Sequence, residues 1–196
     1  MDNYKIKYHK YKNKYLELKN NQIGGANLKT YIQIITKDSE PIKINLDDEK
    51  TINNLINNYL ENINELVCLD FHGVADLYNN DEKIPSKLNK CVISYIGGNP
   101  ITISNTISTI KPRIINDEIL FGIIVYNKNH IPTCGTKGWI ISKMLEVNNN
   151  IKIYFIDDSK KNIECVKNVN SPRIKTFYVN KHKDPKTHLD KLLNRL

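Results

Sequence analysis

The stretch that decides the fold is LVCLDFHGV, residues 66–74. Four apolar residues stop at Asp70, and the chain then turns through a glycine. An apolar strand that ends on a carboxylate before such a turn is typical of α/β proteins, which place acids at the carboxyl edge of a sheet. A second apolar strand, residues 151–156, ends in the same way on Asp157 and Asp158. Because Mg²⁺ prefers carboxylate oxygens, the two strand ends predict one magnesium site.

The composition is that of an ordinary folded chain. It has 196 residues, 40% of them hydrophobic and 26% charged, which allows one domain with extensions or two small domains. No apolar run reaches the length of about 18 residues that a membrane span needs, and the N-terminus lacks the apolar core of a secretory signal. The four cysteines include no C-x-x-C pair, which argues against a zinc ribbon and favours a reduced, intracellular protein.

The positive charge is concentrated in an N-terminal arm. Of the net charge of +8, residues 1–25 carry +4, from six lysines and two acids. Steps of four and three residues predict a helix with one aromatic and apolar face, formed by Tyr4, Tyr8, Tyr11, Tyr15 and Leu18. Such a helix can pack on a partner or on its own domain, can bind nucleic acid through lysines interleaved with aromatic residues, or can stay solvated.

The rest of the chain alternates predicted strands and helices. Residues 26–63 form an extension, with strands over 28–36 and 41–46 and a helix over 50–62. Residues 64–196 follow as an α/β domain, with strands over 66–70, 91–96, 119–126, 151–156 and 174–179 and helices over 100–110, 137–146, 160–168 and 186–195. Strands separated by helices of this length predict a Rossmann-like, doubly wound parallel sheet in three layers.

Four segments can bring polar side chains to the carboxyl edge of the predicted sheet. In chain order they carry Asp70, Ser94, Lys137 and the pair Asp157 and Asp158. In this order they resemble the four motifs of the haloacid dehalogenase-like hydrolase superfamily. Asp-Phe-His-Gly-Val, from Asp70, is similar to the first motif, and Phe-Ile-Asp-Asp-Ser-Lys-Lys-Asn-Ile, residues 155–163, is similar to the fourth. The resemblance covers residues 64–180.

The resemblance implies a Mg²⁺-dependent phosphatase. Asp70 would attack phosphorus and form an aspartyl-phosphate. Ser94 and Lys137 would bind the phosphate oxygens, and Asp70 would hold the Mg²⁺ together with Asp157 and Asp158. The intervals of 23 residues between Asp70 and Ser94 and of 42 between Ser94 and Lys137 leave no room for a large cap domain. The uncapped members that this resembles imply a macromolecular phosphorylated substrate.

One position departs from the family pattern. The family's phosphatases carry a second aspartate two residues after the nucleophile, as acid and base, whereas this chain has His72. Histidine transfers protons near neutral pH, so His72 is a catalytic candidate. The alternative is a catalytically impaired member that serves as a binding or virion component. A third hypothesis is a nucleic-acid-binding protein that acts through the arm.

The arm also resembles the Tyr- and Lys-rich leaders of proteins from giant, mimivirus-like DNA viruses. The frequent Asn, Ile and Lys residues fit an AT-rich genome of that kind. Gly24-Gly25-Ala26 is similar to the Gly-Gly-X sites that the maturation proteases of such viruses cut. This resemblance implies a location in the host cytoplasm or in a virion, and cleavage between Gly25 and Ala26.

Overall fold

The computed structural model describes residues 30–79, 81–97, 99–127, 135–182 and 184–196. The basic arm, residues 1–25, lies outside the described residues, together with the Gly-Gly-Ala sequence that ends it. The helix expected in the arm, its contacts with nucleic acid or a virion, and its cleavage therefore stay predictions.

Seven strands form one sheet: β1 (Thr30–Ile35), β2 (Ile42–Asn45), β3 (Glu65–Leu69), β4 (Asn89–Gly97), β5 (Phe121–Asn127), β6 (Lys152–Asp157) and β7 (Ile174–Tyr178). Their order across the sheet is β2-β1-β5-β4-β3-β6-β7. β1 runs antiparallel to both of its neighbours, whereas β3 to β7 are parallel to one another. The protein is therefore of the α/β class, with a mostly parallel sheet that is compatible with a Rossmann-like fold.

In the described part of the chain, five α-helices flank the sheet: α1 (Glu49–Leu60), α2 (Pro100–Ile115), α3 (Gly135–Val147), α4 (Lys160–Lys167) and α5 (Pro185–Leu193). The helices α1, α3 and α4 pack into the core on one face, and α2 and α5 pack into the core on the other. A short 3₁₀ helix, Ala75–Leu77, follows β3. The expected three layers are confirmed. None of the described helices combines the length and hydrophobicity that crossing a membrane requires.

The extension joins the same sheet. β1 and β2 form the expected antiparallel pair, with Ile32 opposite Ile44. β1 also pairs along its whole length with β5, and α1 buries one apolar stripe, Ile52, Ile56 and Leu60, beside α3. Buried Lys143 of α3 ties α1 to this layer through an ion pair with Glu49, at 3.1 Å.

The helix α2 continues five residues beyond its predicted end at residue 110 and contains Pro112. Proline lacks an N–H and disfavours a helix interior. The buried side chain of Arg113 offsets this cost, because its guanidinium donates hydrogen bonds to the carbonyls of Tyr78 and Asn79, both at 2.6 Å, and pairs with Glu118 at 2.8 Å. Arg113 thereby fastens the connection between β3 and β4 to α2.

The described cysteines occur in two states. Cys68 and Cys91 are buried free thiols on neighbouring strands, with their sulfur atoms 3.2 Å apart. They pack in the core, as expected of apolar runs. Cys165 is disulfide-bonded, which differs from the fully reduced set that the sequence predicts.

The sheet has a topological switch point between β3 and β6. From β3 the chain moves through β4 to β5 on one side, and then crosses to β6 and β7 on the other. Numbered from β3, the parallel strands run 3-2-1-4-5, the doubly wound order in which ligands bind beyond the carboxyl ends at the switch point. Leu69 pairs with Ile156, so the next residues of the two strands, Asp70 and Asp157, come side by side there.

Candidate metal centre

Asp70 is held at the end of β3 by the neighbouring strand and by its own loop. Its N–H donates to the carbonyl of Ile156, 2.9 Å away, and its carbonyl accepts from the N–H of Ala75 at 3.0 Å. The N–H of Phe71 donates to Asp70 Oδ1 at 2.8 Å. Two of these hydrogen bonds fix the backbone of Asp70, and the third orients its buried carboxylate.

Lys137 joins the two strand ends. Its ammonium lies 2.7 Å from Asp70 Oδ1 and 2.7 Å from Asp157 Oδ2, and all three side chains are buried. Lys137 reaches them from the first turn of α3, which packs closely on α4. Gly138 permits this packing, since a Cβ there would lie 2.9 Å from the carbonyl oxygen of Cys165. Loss of Lys137 would leave two buried carboxylates without a cation, which costs about 3–5 kcal/mol.

Both carboxylate oxygens of Asp157 accept hydrogen bonds from neighbouring donors. Its Oδ1 accepts from the N–H of Ser159 at 2.7 Å, and the amide of Asn162 donates to both oxygens, at 3.2 and 3.0 Å. Together with the ion pair to Lys137, these contacts use both carboxylate oxygens in a fully buried position. Asp157 therefore acts as an anchor that orients the ammonium of Lys137.

Asp158 is the more accessible acid of the pair. Its carboxylate is 11% exposed and accepts from the ammonium of Lys181 at 3.0 Å. It also lies directly against Gly73, where an added Cβ would overlap the carboxylate. Gly73 has φ of +79°, in the left-handed region that favours glycine, so the turn after β3 is shaped to leave space for Asp158.

The three acids could hold one metal ion. One carboxylate oxygen from each of Asp70, Asp157 and Asp158 lies within 4.8 Å of the other two. Carboxylate oxygens are the side-chain ligands that Mg²⁺ prefers in proteins. The donor set therefore fits a hard divalent cation, and the side chains that the sequence predicted as ligands come together in space.

Burial raises the pKa of Asp70 from its ordinary value of 3.8 to about 7. The positive charge of Lys137 lowers this pKa, and the negative charge of Asp157 raises it. Burial therefore favours the neutral carboxyl more than the ammonium of Lys137, which is shared with Asp157, favours the charged form. A divalent cation bound between the acids would have the opposite effect and favour the charged carboxylate.

The turn after β3 carries His72 and a further acid. His72 is exposed, and its ring makes an edge contact with Phe71, with the ring centroids 4.9 Å apart. Among the residues that the structure describes, no hydrogen bond joins His72 to Asp70. The N–H of Gly73 donates to Asp76 Oδ1 at 2.6 Å. Partial burial and the nearby charge of Asp158 raise the pKa of Asp76. The hydrogen bond from the N–H of Gly73 and the charge of His72 lower this pKa, but by less.

Ser94 lies inside β4, three residues before its end, and not at the rim. It is in phase with Val92 and Ile96, which pack on the α2 and α5 side, whereas Lys137 comes from α3 on the other side. Its hydroxyl is fully buried and has no hydrogen-bond partner within the described part of the chain. The predicted contact of Ser94 with phosphate therefore stays a prediction, supported by a buried donor that lacks a partner.

The sequence analysis assigned no role to two side chains that complete the centre, Asn162 and Lys181. Asn162 belongs to the stretch quoted for the fourth motif, and its spacing of five residues from Asp157 could have identified it. Lys181 follows β7, and its contact with Asp158 depends on the pairing of β6 with β7. No local pattern signals that contact.

Comparison of the chain with protein-family models, curated proteins and solved structures gives no match.

Proposed function

We propose that the protein is a Mg²⁺-dependent phosphohydrolase of the haloacid dehalogenase-like kind, with Asp70 as nucleophile. One observation carries the proposal: three carboxylates and a bridging lysine meet at the carboxyl end of the sheet, at its switch point. These side chains also follow one another along the chain in the order of the superfamily's motifs that the sequence resembles: first Asp70, then Lys137, then Asp157 and Asp158.

The contacts of Asp70 suggest which of its atoms reacts. Within the described residues, the hydrogen bond from Phe71 and the ion pair with Lys137 both fall on Oδ1. Oδ2 is therefore the oxygen that would attack phosphorus. Lys137 orients the carboxylate and would neutralise charge that develops on the phosphoryl oxygens.

The metal would be held by Asp70 and Asp158. Asp157 already satisfies both of its oxygens with Lys137, Ser159 and Asn162, whereas Asp158 is partly exposed and has a single ammonium partner in the described residues. When bound, Mg²⁺ supplies positive charge that offsets the repulsion between the nucleophile and the phosphate.

The reaction would proceed in two displacements. In the first, Asp70 Oδ2 forms a bond to phosphorus while the ester P–O bond breaks, and the leaving oxygen takes up a proton. In the second, water attacks the phosphorus of the aspartyl-phosphate, gives up its proton and releases inorganic phosphate with the free carboxylate. His72, exposed on the turn beside Asp70, is the candidate to exchange these protons with solvent.

The test is release of phosphate from p-nitrophenyl phosphate by the full chain. We expect activity that depends on Mg²⁺, is abolished by Asp70→Asn and is unchanged by Asp38→Asn, an exposed control at the same kind of residue. Activity that survives Asp70→Asn, or that does not require a divalent cation, would contradict the proposal.

A catalytically impaired protein is the second candidate function. It is favoured by the exposed His72, which makes no hydrogen bond to Asp70 among the described residues. This candidate predicts Mg²⁺ binding that is lost in Asp158→Asn, with no turnover of aryl or alkyl phosphate esters at any pH where the protein is folded. The nucleic-acid hypothesis rests on residues 1–25 and predicts salt-sensitive binding that disappears when they are deleted.

A further inference from the structure

Lys181 lies at the same edge of the sheet as the acidic cluster. β7 pairs in parallel with β6, and the N–H of Val179 donates to the carbonyl of Asp157 at 3.0 Å, which carries the chain past the strand ends. Asn180 Oδ1 then accepts from the N–H of His182 at 3.0 Å. This turn presents the Lys181 side chain to the acids.

The ammonium of Lys181 contacts a carboxylate that a metal ion would also use. It lies 3.0 Å from Asp158 Oδ2, and it is the one cation paired with Asp158 in the described part of the chain. The Lys181 side chain is 58% exposed, whereas that of Asp158 is 11% exposed. Lys181 can therefore move away from Asp158 into solvent at little cost, while Asp158 stays fixed against Gly73.

The charges of the centre give Lys181 a second role. With Asp70 in the charged form that a bound cation favours, the three acids Asp70, Asp157 and Asp158 contribute −3. The two paired lysines, Lys137 and Lys181, contribute +2, which gives −1 before the charge of the cation is added. A divalent cation changes this net charge to +1, which attracts a phosphate dianion. Without Lys181, the cation-loaded centre would be neutral and would attract the anion less.

We infer that Lys181 is a substrate-positioning residue, which competes with the divalent cation for Asp158 and, once displaced by it, binds the oxygens of the phosphate. The inference rests on the proposed function, because it takes the acidic cluster as the cation site. It assigns opposite effects to one side chain: Lys181 weakens binding of the cation and strengthens binding of the anion.

The experiment measures both affinities in Lys181→Met by calorimetry. Mg²⁺ alone is titrated first, and inorganic phosphate is then titrated into the Mg²⁺-saturated protein. We expect Mg²⁺ to bind on the order of three- to tenfold more tightly and phosphate to bind more weakly by a similar factor, as for one charge in a partly solvated site. Lys181→Arg, which keeps the charge, should restore phosphate binding to within about twofold.

Lys152→Met is the matched control. It removes the same charge from the amino end of β6, at the opposite edge of the sheet, where Lys152 is 65% exposed. Both affinities should stay at their wild-type values in this variant. Equal affinities in Lys181→Met and the wild type, or a loss of both affinities together, would overturn the inference. If the wild type itself binds no Mg²⁺, the proposed function fails with it.

Discussion

Replacing Asp70 by asparagine should stabilise the metal-free protein at alkaline pH. The folded chain holds the Asp70 carboxyl with a pKa of about 7, against 3.8 for an ordinary aspartate, mainly because it is buried. Between these values the folded state binds more protons than the unfolded state. The free energy of unfolding therefore falls as the pH rises from about 4 to about 7, and then levels off. Asparagine does not titrate and avoids this loss.

The size of the effect follows from the pKa. A rise from 3.8 to about 7, at about 1.36 kcal/mol for each pH unit, sets an upper limit of about 4 kcal/mol. Relaxation of the site around the charged carboxylate reduces this, so we expect a gain of about 1–3 kcal/mol in Asp70→Asn above pH 8. Lys137 keeps its second partner, Asp157, at 2.7 Å, so the substitution does not leave a buried ammonium unpaired.

Urea unfolding in the presence of EDTA measures the difference. Wild type, Asp70→Asn and the exposed control Asp38→Asn are compared at about pH 4.5 and at about pH 8.5. We expect Asp70→Asn to be close to the wild type at the lower pH and more stable at the higher pH. A variant that is less stable at the higher pH, or a difference that does not change with pH, would refute this reasoning.

Further substitutions test the supports of the centre. Asn162→Ala should lower kcat/KM for p-nitrophenyl phosphate by about 10–100-fold, since the amide orients Asp157; a wild-type value would exclude that role. Gly73→Ala should weaken Mg²⁺ binding at least about tenfold in a calorimetric titration, because the new methyl group overlaps the Asp158 carboxylate; Gly135→Ala, with open space around it, is the control. Arg113→Lys should destabilise the fold by about 2–4 kcal/mol in urea, since a lysine cannot reach all of the carbonyls; an unchanged midpoint would contradict this.

The ends of the buried strands could be predicted because the relevant information is local. The apolar run before Asp70 and the one before Asp157 each stop on an acid, and strands that alternate with helices predict parallel neighbours whose carboxyl ends meet. Lys137 was predicted because it opens a helix that follows a strand. The sheet then brings these side chains within contact distance.

Other features depend on which strands become neighbours, which the sequence does not reveal. Lys181 meets Asp158 only because β7 pairs with β6. Ser94 was expected late in a strand over 91–96, and β4 contains it. The sequence does not show that it shares the face of Val92 and Ile96, on the α2 and α5 side of the sheet. The helix α2 continues past its predicted end at residue 110, and the sequence does not show the carbonyl oxygens that hold Arg113 in its last turn.

The most direct test of the central claim is a crystal structure of the full chain soaked with Mn²⁺ and orthovanadate, with anomalous data collected for manganese. We expect one strong anomalous peak within coordination distance of carboxylate oxygens of Asp70 and Asp158, at about 2.1–2.3 Å. Vanadate should lie beside Asp70 Oδ2 and Lys137. A manganese peak elsewhere, or no peak at these acids under saturating Mn²⁺, would contradict the account.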